Sequence, residues 1–230
     1  MEQFKDNSLN DLSGFAKSHF GDRPFFGCIY GSHAILQAKD TSDIDVFFAT
    51  QSLCPEDISA AKSFIMGYHH ARGLPLDEEV PYENKLVVDF DDVNKAVNLG
   101  GFNLGKDGRI TVPPVIKEKK FLESAGIRHR LIFNALTTPH VSFGSALESL
   151  QFFKDQAEIN LIRLAIDLVA QGVERNVENL LGVLLAGPNG EDGEMFLGYK
   201  KNSFVVEHLR NLLKSQLQSQ SVELTNSHGK

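Results

Sequence analysis

The spacing of apolar residues divides the chain into two stretches of different periodicity. In the first, short apolar runs alternate with helical segments. Phe4, Leu9, Leu12, Phe15, Ala16 and Phe20 recur at roughly helical intervals, with Asn7 or Ser8 placed to cap them. Gly21-Asp22-Arg23-Pro24 stops that helix, and Phe25 to Tyr30 reads as a first strand. The stretch from His33 to Ser42 holds a short helix and a turn. A second strand opens at Asp43-Ile44-Asp45 and continues through Val46-Phe47-Phe48-Ala49. Pro55 and Gly73 bound the next helix, which puts Ile58, Ala61, Phe64, Ile65 and Tyr68 on one side. Leu74 to Val80 reads as a third strand, with Pro75 at its start or on an edge, and Leu86 to Phe90 as a fourth. Asn94 to Leu99 predicts a short helix. Asp107-Gly108, between Leu104 and Ile110-Thr111-Val112, predicts a small hairpin.

From residue 118 onward the period is helical. Phe121 to Leu136 is one segment and Phe143 to Val173 a longer one. In the longer helix Ile159, Ile162, Ile166, Val169 and Val173 recur at threes and fours, and Leu161, Leu164 and Leu168 widen the face. Glu178 to Ala186 and Phe204 to Leu217 complete the series, and the polar end of the chain is expected to fray. The prediction is an α/β (α+β) protein. A mixed sheet with flanking helices occupies 1–115, a helical bundle 116–218, and a flexible tail 219–230.

Composition narrows the picture. The apolar fraction of 42% and charged fraction of 23% suit a globular protein with a real core. No apolar run approaches the roughly 20 residues that span a bilayer. The first residues lack the basic and apolar regions of a secretion signal, so a cytoplasmic protein is expected. Cys28 and Cys54 have neither disulfide nor zinc spacing, and Cys28 reads as a buried structural thiol. A net charge of −7 disfavours a broad basic face for long nucleic acid and favours a small substrate, a cationic one suiting that charge.

Chemistry concentrates in two short motifs. Residues two apart on a strand share a face, so Asp43 and Asp45 point together while Ile44 and Val46 point into the core. Adjacent carboxylates repel unless a cation lies between them, which is the usual reason to bind divalent metal there. Gly31-Ser32 directly follows a strand. Small residues there let the backbone approach a phosphate, with the amides of the following helix behind it.

Gly31-Ser32, ten intervening residues, then Asp43-Ile44-Asp45 in a strand–helix–strand context resembles the signature of the nucleotidyltransferase superfamily that includes DNA polymerase β. The small single-chain enzymes that adenylylate aminoglycoside and lincosamide antibiotics are the particular likeness. It covers residues 25 to 80, whereas the second half is similar to their appended domains only in being helical and of suitable length. The resemblance implies transfer of a nucleoside monophosphate, AMP from ATP or another triphosphate, to a small-molecule acceptor between the two halves, with release of pyrophosphate. Gly31 and Ser32 would hold the triphosphate, and Asp43 and Asp45 two Mg²⁺ ions.

A third carboxylate from the next strand would complete the metal site and serve as base. Gly73-Leu74-Pro75-Leu76-Asp77 is similar to the family's usual approach to that strand, which makes Asp77 the first choice. Glu79 is second by position, and Asp89 is a candidate from a different strand. Lys106, Arg109, Arg128, Arg130, Lys200, Lys201 and His33 could steady phosphates or simply be solvated. Glu78, Glu83, Asp91 and Asp92 could meet a cationic acceptor or form a plain acidic surface. Two other classes compete: a weakly active or inactive partner protein of the toxin–antitoxin kind, and a modifier of a macromolecule such as a tRNA end.

Overall fold

The computed structural model describes residues 8–35, 38, 42–75, 87–98, 103–104, 110–111, 125–170, 176–186 and 203–226. It is an α/β structure, mostly helical, built on a four-stranded mixed sheet. The strands of that sheet are β1 (Phe25–Tyr30), β2 (Asp45–Thr50), β3 (Val87–Asp89) and β6 (Val141–Gly144), in the order β3-β2-β1-β6. β1 is antiparallel to both β2 and β6, and β3 joins β2 in parallel. The predicted hairpin is present as β4 (Asn103–Leu104) and β5 (Ile110–Thr111).

Alternation along the strands sends side chains into two apolar layers. On one face Phe25 and Ile29 of β1 and Val46 and Phe48 of β2 pack against α1 (Ser8–Phe20) and α3 (Pro55–Arg72). The buried apolar residues of α3, Ala61, Ile65 and Tyr68, lie on the predicted side. Pro55 opens that helix and Gly73, at φ 62°, closes it in the left-handed region.

On the other face Phe26, Cys28, Phe47 and Ala49 join a larger cluster. It extends through α4 (Phe90–Val97), α5 (Ala125–Thr137), α6 (Leu147–Ala170), α7 (Val177–Ala186) and α8 (Ser203–Asn226). The later helices therefore share one continuous core with the sheet.

The structure departs from the predicted pattern at four places. A strand, β6, lies inside the stretch expected to be wholly helical. Val141 and Phe143 alternate with Ser142 and Gly144, and Phe143 packs with α1 and α3 rather than opening a helix. Gly144 makes this possible. Its φ is 132°, and a Cβ there would lie 2.4 Å from the Phe25 carbonyl oxygen, which accepts the Ser145 and Ala146 N–H groups at 2.9 Å each.

In α6 Leu161, Ile162 and Leu164 are buried as expected, together with Leu150, Phe153 and Ala157, while Ile159 is exposed. Leu147, Phe152 and Ile159 place apolar residues on its solvent side too, so the apolar pattern alone does not single out the buried face. α8 continues to Asn226, through the segment expected to fray, and no Gly or Pro interrupts it. Finally, α4 begins at Phe90, because the Asp89 carboxylate caps it by accepting the Asp92 N–H at 2.7 Å.

Candidate functional site

β1 ends at Tyr30 and β2 begins opposite it at Asp45. The chain leaves β1 through Gly31, whose φ of 70° lies in the left-handed region. A Cβ built on Gly31 would sit 2.1 Å from the Asp45 Oδ2 atom. Glycine is thus required twice, by the backbone conformation and by the carboxylate lying against its Cα. Ser32 follows in a single helical turn, α2 (Gly31–Ala34), with Tyr30 at the N-cap and no side-chain capping bond. This turn is the short helix expected after the Gly-Ser pair. His33 Nε2 lies 3.4 Å from the Ser42 carbonyl oxygen, which ties the turn to the approach of β2.

Asp43 precedes the strand instead of opening it, yet the alternation persists. Ile44 is buried with α1 and α3, so the side chains on either side of it belong to the opposite face. Tyr30 belongs to that face as well, packed against the larger core. Its phenol is held well above its ordinary pKa, first by burial and then by the charges of Asp45, Cys28 and Asp43. Both aspartates therefore act on one neutral tyrosine at the sheet's end. Asp43, Asp45, Gly31 and Ser32 are all only partly buried, so the face can be reached by a ligand.

Asp77 and Glu79 lie outside the described residues, as do Lys106, Arg109, Lys200, Lys201 and the Arg130 side chain. Asp89 is placed elsewhere. It pairs in register with Thr50, five residues along β2 from Asp45, which at about 3.3 Å per residue puts it roughly 16 Å away. Arg128 also belongs to that far end, where its guanidinium pairs with Asp92 of α4 at 2.9 Å. Among the described residues no three His, Cys, Asp or Glu side chains form a group that could hold a metal.

The two aspartates nonetheless fit Mg²⁺ as donors. They offer hard carboxylate oxygens on one face, and Asp45 presents its oxygen beside a backbone with no side chain to block access.

No protein-family model, curated protein or solved structure matches this chain.

Two groups of polar residues escaped the sequence pattern. One is a structural clamp around Asp57, whose carboxylate is buried and accepts from Arg23 at 2.6 and 2.8 Å and from the Cys54 N–H at 2.7 Å, with His19 Nε2 at 2.8 Å. The other is Lys154, His140 and His208, of which the Lys154 charge acts on both rings. The only sequence trace of the latter is a lysine between the buried positions Phe153 and Ala157 of α6. Cys28 is buried beside them, its thiol pushed up chiefly by desolvation, as suits a structural cysteine.

Proposed function

We propose that this chain is a Mg²⁺-dependent nucleotidyltransferase that moves a nucleoside monophosphate, AMP from ATP in the first instance, to a small-molecule acceptor and releases pyrophosphate. The observation that carries this reading is the contact of Gly31 with Asp45. A left-handed glycine set against a carboxylate joins the Gly-Ser turn and the aspartate pair in one site, although ten residues separate the motifs in sequence. The same reading assigns the α/β layout to a nucleotidyltransferase sheet followed by a substrate-binding helical region, and the work to the cytoplasm, where ATP and Mg²⁺ are at hand. No described helix is long and apolar enough to cross a membrane.

Each residue then has a part. Gly31 lets phosphate oxygens approach the backbone, and the Ser32 hydroxyl adds a donor. Asp43 and Asp45 would hold Mg²⁺, which when bound supplies charge neutralisation for the triphosphate and acidifies an acceptor hydroxyl. Tyr30 stays protonated beside them and so adds no third negative charge. Asp77 remains the proposed third carboxylate, able to take the acceptor's proton.

The test is transfer from labelled ATP with Mg²⁺ to a panel of hydroxyl-bearing acceptors. Asp43→Asn and Asp45→Asn each lower transfer about a thousandfold while unfolding near the wild-type temperature. Full activity in either variant overturns the proposal.

A further inference from the structure

The two aspartates of the site are held in different ways. The β1–β2 ladder ends with Tyr30 opposite Asp45, and Asp45 also lies against Gly31. Asp43 stands two residues before β2, beyond the end of that ladder. On its C-terminal side Ile44 is an anchor, 5% exposed among the apolar residues of α1 and α3. On its N-terminal side His33 Nε2 lies 3.4 Å from the Ser42 carbonyl oxygen. That carbonyl belongs to the peptide that leads into Asp43. The peptide is planar, so its oxygen, its nitrogen and the Asp43 Cα move as one unit. A donor that holds the Ser42 oxygen therefore holds the Asp43 Cα, and both neighbours of Asp43 are fixed.

His33 is itself firmly based. It belongs to the same single turn as Gly31 and Ser32, directly after β1. Ile35, the C-cap of that turn, is buried, and its N–H donates to the His33 carbonyl. The ring thus reaches from the Gly-Ser turn to the approach of the aspartate pair, across nine positions of sequence. A carbonyl oxygen only accepts, so His33 Nε2 carries the proton, and in the neutral ring Nδ1 is the acceptor.

We infer that His33 is a positioning residue for Asp43: by holding the Ser42 carbonyl it sets this metal-binding carboxylate against the Gly31-Ser32 turn. The inference rests on the nucleotidyl-transfer reading, and it gives His33 a part other than contact with phosphate. Two carboxylates that share a cation must be kept together against their mutual repulsion. The ladder does this for Asp45, and the His33 ring does it for Asp43. Groups outside the ligand set that orient a ligand directly change metal affinity roughly tenfold or more. His33 acts one peptide away and through a long bond, so its removal should cost about fivefold, the scale of one neutral hydrogen bond.

The experiment is Mn²⁺ binding to the full chain without nucleotide, followed by the electron paramagnetic resonance of the free ion. Wild type is expected to bind saturably, and Asp43→Asn to lose most of that affinity. His33→Leu weakens Mn²⁺ binding about fivefold, whereas His33→Gln, whose side-chain amide donates to the same oxygen, stays within about twofold of wild type. Each variant is checked for a wild-type unfolding transition. A second measurement needs no variant: in the unaltered chain, ¹⁵N-labelled at histidine, the neutral His33 ring is expected as the Nε2–H tautomer. The Nδ1–H tautomer overturns the inference. So does an unchanged Mn²⁺ affinity in His33→Leu beside a loss in Asp43→Asn, which leaves the metal assignment standing. A loss confined to binding of a non-transferable ATP analogue without metal assigns His33 to the phosphates and overturns the inference too. No saturable Mn²⁺ binding, or binding that Asp43→Asn leaves unchanged, overturns the metal assignment and this inference together. Mn²⁺ binding that depends on His33, with no transfer to any acceptor, would sink the nucleotidyl-transfer reading alone.

Discussion

Two acidic sites in this molecule show opposite uses of a carboxylate. Asp57, in the first turn of α3, is 1% exposed and is surrounded by donors from α1, the turn after it and its own N-cap. Burial alone would raise its pKa. The Arg23 fork, the Cys54 N–H and His19 outweigh that and hold it below the ordinary range. Its oxygens are occupied by the chain itself, and the result is a pin between α1 and α3. Asp43 and Asp45 are partly buried, share one sheet face, and have a glycine where a side chain would block Asp45. Nearly complete burial among the chain's own donors makes Asp57 architecture. Two carboxylates side by side, still open to solvent and with no side chain on the glycine beside them, form a place for something else to bind.

The sharpest way to break this comparison is to exchange the consequences. Asp45→Asn should cost transfer about a thousandfold, about 4 kcal/mol in the barrier. Its urea midpoint should stay near the wild-type value, because Asn keeps the side chain's shape and hydrogen-bonding capacity. Asp57→Asn should leave transfer per folded molecule intact. It should cost about 2 kcal/mol of stability, below the full value for a buried pair because Arg23 and His19 are partly exposed. If Asp57→Asn silenced transfer in folded protein, the division between the two sites would be wrong.

Gly31→Ala comes next. The added methyl meets Asp45 Oδ2 and the backbone is already left-handed, so a stability loss of about 1–2 kcal/mol is expected together with roughly a hundredfold loss of transfer. Gly21, also left-handed at φ 59° but with nothing near its Cα, serves as control: Gly21→Ala should show strain and no loss of transfer.

The pH profile of stability sharpens the same contrast. The folded pKa of Asp57 is depressed. Its contribution is therefore complete above its ordinary value of 3.8 and is lost as pH falls below it. Asp57→Asn should flatten that acid limb. His129, His140 and His208 are also held below their ordinary 6.5, chiefly by burial, so the unfolded chain takes protons first. Stability should therefore decline as pH drops through 6.5, and His129→Gln should remove part of that decline in urea titrations across the range. The smallest effect expected is from Tyr30→Phe. Removing a neutral hydroxyl beside the aspartates should change transfer only about fivefold, read from initial rates.

Local patterns were legible where local physics decides. α3 starts at Pro55 and ends at Gly73 because one residue presets the first turn and the other adopts the left-handed cap. The β4–β5 hairpin sits where Asp107-Gly108 interrupts two apolar runs. β6 was hidden because a four-residue strand before a helix looks like the helix's own first turn. Only its pairing with β1 distinguishes it. Asp89 looked like a metal ligand because its apolar run resembles a strand, which it does end. The parallel register with β2 then carries it to the wrong end of the sheet.

By itself, the sequence determined the strand–turn–strand unit around Gly31-Ser32 and Asp43-Ile44-Asp45, the common face of the two aspartates, and the bounds of α3. Those depend on backbone preferences and on a period of two, both of which are written in neighbouring residues. Only the tertiary structure decided that Gly31 touches Asp45 and that Asp89 stands apart. It alone filled Asp57 from α1 and set His140 level with Tyr30. Those relations depend on strand register and on how elements distant in sequence pack together. Such choices are settled by packing across distant segments, because no local preference separates the alternatives.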